Sequence, residues 1–165
     1  MPGAKVQKAK MIDIRRATSN DETTLTSLAW RLTAFTLPPW RRPEQIADAD
    51  AREMMVAIRT GSSASEVFIA ERDGAVVGCL HVLEDVDFFG AKHAHISVVA
   101  TTADAEGSGA GRALMEHAEA WARQRGHTLL TLNVFAGNQR ARRFYERGGY
   151  APEIMKYAKQ LPFGP

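Results

Sequence analysis

One cysteine, Cys79, is the only thiol in the 165 residues. It cannot close an internal disulfide, and it sits in the apolar run AVVGCLHVL, a usage that suits a reducing cytoplasm. No apolar stretch reaches membrane-spanning length and no secretory h-region is present, so neither a membrane partner nor export is expected. A strong charge of one sign is missing too: the formal net charge is +2, and the Lys and Arg residues are spread along the chain, which argues against nucleic acid as a partner. A polyanionic small molecule stays open. With no cysteine cluster and no His pair at i, i+4, no metal site is expected. Repeats and low-complexity segments are absent as well. What is there, 45% hydrophobic and 24% charged residues, is enough for one core of ordinary size.

The first ten residues, MPGAKVQKAK, are polar and basic without periodicity and read as a loose tail, ahead of one domain over 11–165. MIDIRRAT (Met11 to Thr18) reads as a strand. An Asn20/Asp21 cap then opens a helix with Leu25, Leu28, Ala29 and Leu32 at helical spacing. The prolines Pro38, Pro39 and Pro43 make a stiff loop around Trp40 before a second helix runs to Thr60. EVFIAERDGAVVGCLHVLE is a hairpin turning at Asp73-Gly74, and its second strand, apolar on both faces, belongs at the centre of a sheet. His93 to Thr101 is a strand. A helix after Gly111 places Ala110, Ala113, Leu114, His117, Ala118, Trp121 and Ala122 on one face and ends at Gly126. Thr128 to Phe135 reads as a strand, Asn138 caps a short helix, and YAPEIMKYAKQL reads as one or two last strands. The order β-α-α-β-β-β-α-β-α-β implies a mixed α/β (α+β) fold with a central, largely antiparallel sheet flanked by about four helices.

Three glycines, Gly107, Gly109 and Gly111, stand between a strand and the clearest helix. The first N–H groups of a helix lack internal partners and lie at the positive end of its dipole, a place that binds phosphate. A Gly-rich turn with no ligand is the alternative. No Gly-Lys-Ser/Thr follows, which excludes a nucleotide-triphosphate loop, and Leu114 stands where a dinucleotide fingerprint needs its third glycine.

The segment NVFAGNQRARRFYERGGYAPE carries Asn138, Ala141, Phe144 and Tyr145 as N-x-x-A-x-x-F-Y. With EGSGAGRAL upstream, it resembles the GNAT acetyltransferase family, whose members bind acetyl-CoA and transfer its acetyl group, usually to an amine. The resemblance is specific from Ile96 to Tyr150 and loose before it. It implies a GNAT-like fold, with the Arg/Gln-x-x-Gly-x-Gly/Ala signature falling on Glu106, Gly109 and Gly111. Gly107, Ser108, Ala110 and Arg112 fill out a loop whose amides hold the CoA pyrophosphate. Glu106 departs from the pattern: a carboxylate cannot donate to phosphate, so its side chain is expected to point to solvent. Asn138 corresponds to the family's Asn, a cap that also bonds the pantetheine arm. Arg140 and Arg143 fall near the nucleotide end of the cofactor.

The chemistry implied by the resemblance is direct attack by a primary amine of a small molecule on the thioester. Backbone N–H groups around Val99 and Thr101 meet the charge that develops on oxygen. Tyr145, the second aromatic of F-Y, becomes the general acid for the leaving thiolate, with a core aromatic as the alternative. The amine, with a pKa of about 10.4, must lose a proton. His93 and His95 alternate onto one face of a strand and are the candidate bases, with Glu84, Asp85 and Asp87 behind them; either histidine also reads as structural. His81, His117 and His127 read as structural or exposed. Cys79 needs no covalent role. Two other functions fit the same pattern, a protein or peptide Lys or N-terminal acetyltransferase and a non-catalytic acyl-CoA-binding module. A homodimer is compatible with all three.

Overall fold

A hairpin sets the sheet. Asp73 and Gly74 take φ of 52° and 78°, the left-handed pair that a type I′ turn needs. They join β2 (Ser65–Arg72) to β3 (Ala75–Val86) as an antiparallel pair, and β1 (Asp13–Arg16) pairs antiparallel with the other edge of β2. Next, β4 (Lys92–Thr101) pairs antiparallel with β3, and β5 (Leu130–Leu132) pairs parallel with β4. The strand order is β1-β2-β3-β4-β5. This is a computed structural model, and it describes residues 11–162; the expected tail, 1–10, lies outside the described residues.

Period-two alternation divides the core between the two faces. Val67, Ile69, Cys79, Val98 and Ala100 meet Leu25, Leu28 and Ala29 of α1 (Glu22–Arg31) and Ala47, Met54 and Met55 of α2 (Pro43–Thr60). Phe68, Ala70, Leu80, Val82, Ala94 and Ile96 meet Leu114, Met115, Ala118 and Trp121 of α3 (Ala110–Gln124), with Phe144 and Tyr145 of α4 (Gln139–Arg147) packed on the same cluster. Both faces of β3 are therefore used, and it sits third of five, as its two-faced apolar pattern implies. The mixed α/β fold, the mostly antiparallel sheet and the four helices agree with the sequence reading.

Four local expectations change. Thr18 caps the start of the first helical segment in place of Asn20 or Asp21: its hydroxyl accepts from the Asn20 amide at 3.3 Å while Asp21 Oδ2 accepts from the Thr18 amide at 2.8 Å, around a 3-10 turn over Ser19–Asp21. Asp21 is thereby turned onto Arg15, at 2.8 and 2.9 Å. β1 is shorter than Met11 to Thr18 because its register with β2 covers only Asp13 to Arg16. β5 is also short, paired only from Leu130 to Leu132. Residues 151–162 form no strand; they are exposed and without a ladder partner, and extended backbone without a partner is not a sheet.

Why β5 stops at Leu132 is visible in β4. His81 of β3 lies opposite Val98 and Val82 opposite Ile96, so Ser97 is an extra residue, a β-bulge. The β4–β5 ladder ends at Ile96 opposite Leu132, directly before it. From Ser97 to Thr101 the outer edge of β4 has no strand beside it among the described residues.

Candidate active site

The gap beyond Ser97 ends at the glycine loop. Gly107 and Gly109 take φ of 71° and 90°, a conformation that side chains with a Cβ rarely adopt, and around each the space within 4 Å is open. The first helical bond of α3 runs from the Ala113 amide to the Gly109 carbonyl at 3.0 Å, and no side chain caps this end. The amides of Ala110, Gly111 and Arg112 therefore precede the helical ladder. The loop itself is anchored from below: Ser108 Oγ donates to the Ala105 carbonyl at 2.5 Å, and Arg72 donates to the Ser108 carbonyl at 2.8 Å. Gly111 marks the contact of α3 with α4, where a Cβ would meet the Phe144 ring at 3.3 Å.

Glu106 is exposed, as expected, but its carboxylate is paired. Arg31, at the end of α1, and Arg140, in the first turn of α4, each reach its carboxylate at 2.5 Å. The pairing was not expected from the charges of the loop alone; two guanidinium groups from distant segments converge on this carboxylate. Arg31 also donates to the Thr101 carbonyl at 3.4 Å, tying α1, the end of β4 and the loop together. Of the other cations, Arg112 pairs with Glu116 at 2.8 Å along α3, and Arg143 is exposed on α4. Asn138 Oδ1 accepts from the Ala141 amide at 3.2 Å and caps α4.

Tyr145 is half-buried against the α3-side core, with ring centroids 5.4 Å from Phe144 and 6.2 Å from Tyr150. Burial pushes its phenol up to about 12. A cleft of about 500 Å³ between α3 and α4 is lined by Met115, Glu119, Phe144, Tyr145 and Tyr150. Tyr150 donates to Glu119 at 3.4 Å, and burial and that carboxylate raise its pKa as well.

The candidate bases divide. His93 and His95 lie opposite in sense to Ala94 and Ile96, hence on the α1–α2 face. His93 is buried, with Nδ1 3.4 Å from the Ala91 carbonyl. His95 Nδ1 is 2.7 Å from Thr131 Oγ1 on β5, and burial pulls its pKa below 6.5. Among the carboxylates, Glu84 lies 3.7 Å from His127, Asp85 accepts from the Val86 amide, and Asp87 accepts from the Phe89 and Ala91 amides to shape the β3–β4 turn. Cys79 is wholly buried and its thiol is pushed up to about 12 by burial.

Two features were not read from the sequence. Glu53 of α2 accepts a hydrogen bond from Ser97 Oγ at 2.8 Å, at the bulge. Asp50, one turn earlier, is raised to about 6 by burial and by Glu53. The loop between α1 and α2 also touches the segment after β5: Phe35 and Phe135 stand 5.5 Å apart, and a Cβ on Gly137 would lie 3.3 Å from the Thr36 carbonyl. The α1–α2 loop therefore meets the segment that continues β5 past its ladder.

Comparison with known proteins gives the family and the fold. Residues 25–150 match the Acetyltransferase (GNAT) family. A 5-NmdU N-acetyltransferase of Pseudomonas phage PaMx11 is 30% identical over 100 residues, 61% of this chain and 67% of that protein. A putative acetyl transferase from Pyrococcus furiosus superposes with a TM-score of 0.71 at 22% identity, over 92% of this chain and all of the other. The aminoglycoside N-acetyltransferase AAC(6')-Iy, solved in complex with CoA, superposes with a TM-score of 0.68 at 15% identity, over 94% of this chain and 99% of the other. No helix among the described residues is long and apolar enough to cross a membrane.

Proposed function

The chain belongs to the GNAT acetyltransferase family and is an acetyl-CoA-dependent N-acetyltransferase, and we propose that it moves the acetyl group to a primary amine of a small molecule by direct attack. The observation that carries this reading is the unpaired edge of β4 from Ser97 to Thr101, leading to a capless glycine loop with open space above it. When bound, acetyl-CoA supplies an activated thioester. The amides of Gly107 to Arg112 are suited to its pyrophosphate: they are N–H donors at a helix start, and Gly107 and Gly109 leave no Cβ in the way. Arg140 adds a cation at the same loop, Asn138 a polar group at the start of α4, and exposed Arg143 a charge for the nucleotide end.

Main-chain groups of β4 between Ser97 and Thr101, Val99 among them, can face the thioester because no strand uses that edge. Donors fixed in a folded strand need no reorganisation as charge develops on the carbonyl oxygen. Tyr145 serves as the general acid. Its phenol stays protonated at neutral pH, since burial lifts it to about 12, and a protonated group is what a leaving thiolate requires. His95, closer to the bulge than His93, is the better placed of the two candidate bases, and its lowered pKa keeps the ring neutral and able to accept a proton at pH 7. The wholly buried Cys79 supports a site in a reducing cytoplasm and takes no part. The test is calorimetric titration with acetyl-CoA, followed by thiol release with a panel of small amines, aminoglycosides, polyamines and peptides. Binding and release with small amines is expected; release only with peptides would move the acceptor to protein.

A further inference from the structure

Glu53 reaches from α2 to the residue at which β4 leaves β5. Its Oε2 accepts from Ser97 Oγ at 2.8 Å, which fixes the carboxylate at the mouth of the gap, while the residue as a whole stays exposed. No ion pair among the described residues includes Glu53. Asp50 lies on the same helix, and His81 of β3 and His95 of β4 are within its electrostatic reach, both made harder to protonate by burial. A carboxylate held in place by a serine, open to solvent and in no ion pair among the described residues, is a ready partner for a cation that arrives with a ligand.

That cation should not be the reacting nitrogen. A fixed negative charge against the attacking amine would hold it as ammonium, which has no lone pair to attack with. The charge is useful against a second amine on the same molecule. On the reading given above, the oxygen-stabilising groups lie around Val99, two residues beyond Ser97, and two residues of strand span about 6.6 Å.

We propose that Glu53, positioned by Ser97, binds a second ammonium group of the acceptor, so that the preferred substrates are diamines or polyamines with a short spacing between nitrogens. This rests on the acetyltransferase reading of the site. Monoamines would still react, since the reacting nitrogen makes the same contacts in either case.

The experiment compares kcat/KM for a series of α,ω-diamines with that for monoamines of equal chain length, in wild type, Glu53→Gln and Ser97→Ala. Wild type should favour the best diamine by about two- to fivefold, the scale of one solvent-exposed charge pair. In Glu53→Gln that ratio should fall to near one, through the acceptor KM, with the monoamine kcat/KM and the acetyl-CoA KM unchanged; Ser97→Ala should lower the ratio in part. A merely structural Glu53 would shift all substrates together, or none. A ratio near one in wild type, or one unaltered in Glu53→Gln, overturns the proposal while leaving acetyl transfer standing. Failure of every small amine, monoamines included, overturns the small-molecule acceptor reading and this proposal with it.

Discussion

Replacing Glu106 with Gln separates two effects of one carboxylate. In the native chain it binds Arg31 and Arg140, each at 2.5 Å, with about a third of the Arg31 and Glu106 side chains exposed and 69% of Arg140. Exposed ion pairs are worth about 0.2–1 kcal/mol, so the Arg31 pair falls near the top of that range and the Arg140 pair near the bottom. Gln keeps one acceptor oxygen. The net loss should be about 1 kcal/mol, or roughly 2–4 °C in Tm for a chain of this size.

Cofactor affinity should move the other way. Taking a charge separation of roughly 8 Å and an effective dielectric of about 60, each phosphate charge is repelled by Glu106 by about 0.7 kcal/mol; two charges give about 1.4 kcal/mol, or tenfold in Kd. The substitution also frees both arginines to pair with phosphate. Thermal unfolding and calorimetry with acetyl-CoA, at low salt and at high salt, provide the readings. Glu106→Gln should be less stable and bind more tightly, with the gain shrinking as salt rises. Weaker binding by a folded Glu106→Gln protein would refute the repulsion argument and show that holding the two arginines outweighs the charge. An unchanged Tm would refute the ion pairs.

Gly109→Asp should abolish acetyl-CoA binding, because at φ of 90° it strains the loop and it adds an anion beside the amides; retained affinity in calorimetry would remove the loop from the site. Tyr145→Phe should leave the fold and acetyl-CoA affinity intact while kcat falls by about 10²-fold, and unchanged chemistry in single-turnover assays would return Tyr145 to the core. If His95 takes the amine proton, kcat/KM should rise along a limb centred below pH 6.5, and His95→Gln should erase it, whereas the same limb in His95→Gln and His93→Gln would assign the proton elsewhere. Asp50 has a raised folded pKa, so its contribution is most favourable below its unfolded value near 4 and is lost as pH rises through about 6; Asp50→Asn should therefore stabilise by about 1 kcal/mol at pH 7, after discounting for partial exposure, and by nothing near pH 4, as measured by denaturant unfolding at both.

What could be read from the sequence shares one property: it is encoded within a few residues. The Asp73-Gly74 turn, the two-faced apolar run of β3, the α3 stripe and the Asn138 cap each depend on neighbours at fixed spacing, and each is found in place. The ion pairs of Glu106 were not legible because they are made by Arg31, 75 residues earlier, and by Arg140, 34 residues later, and no periodicity links the three. The last strands failed for a related reason. YAPEIMKYAKQL has strand composition, but a strand exists only where an edge accepts it, and a composition cannot supply the edge.

Ser97 marks the deepest limit of local reading. One extra residue in β4 breaks the period of two at a single point, and HAHISVVAT alternates well enough on either side to hide the break. Yet that residue decides where β5 stops pairing, and so where main-chain groups are left for a substrate. It also decides which helix overlooks the opening. Pairing without the bulge would place Ser97 opposite Val82 and Ile96 opposite Leu83, turning every residue of β4 before Ser97 to the other face and bringing Ala94 and Ile96 out of the α3 core. The apolar packing of Ala94, Ile96, Val98 and Ala100 on their two faces thus forces the bulge, and the bulge in turn brings the Ser97 hydroxyl to Glu53. The opening in the sheet follows from core packing, not from the residues that line it.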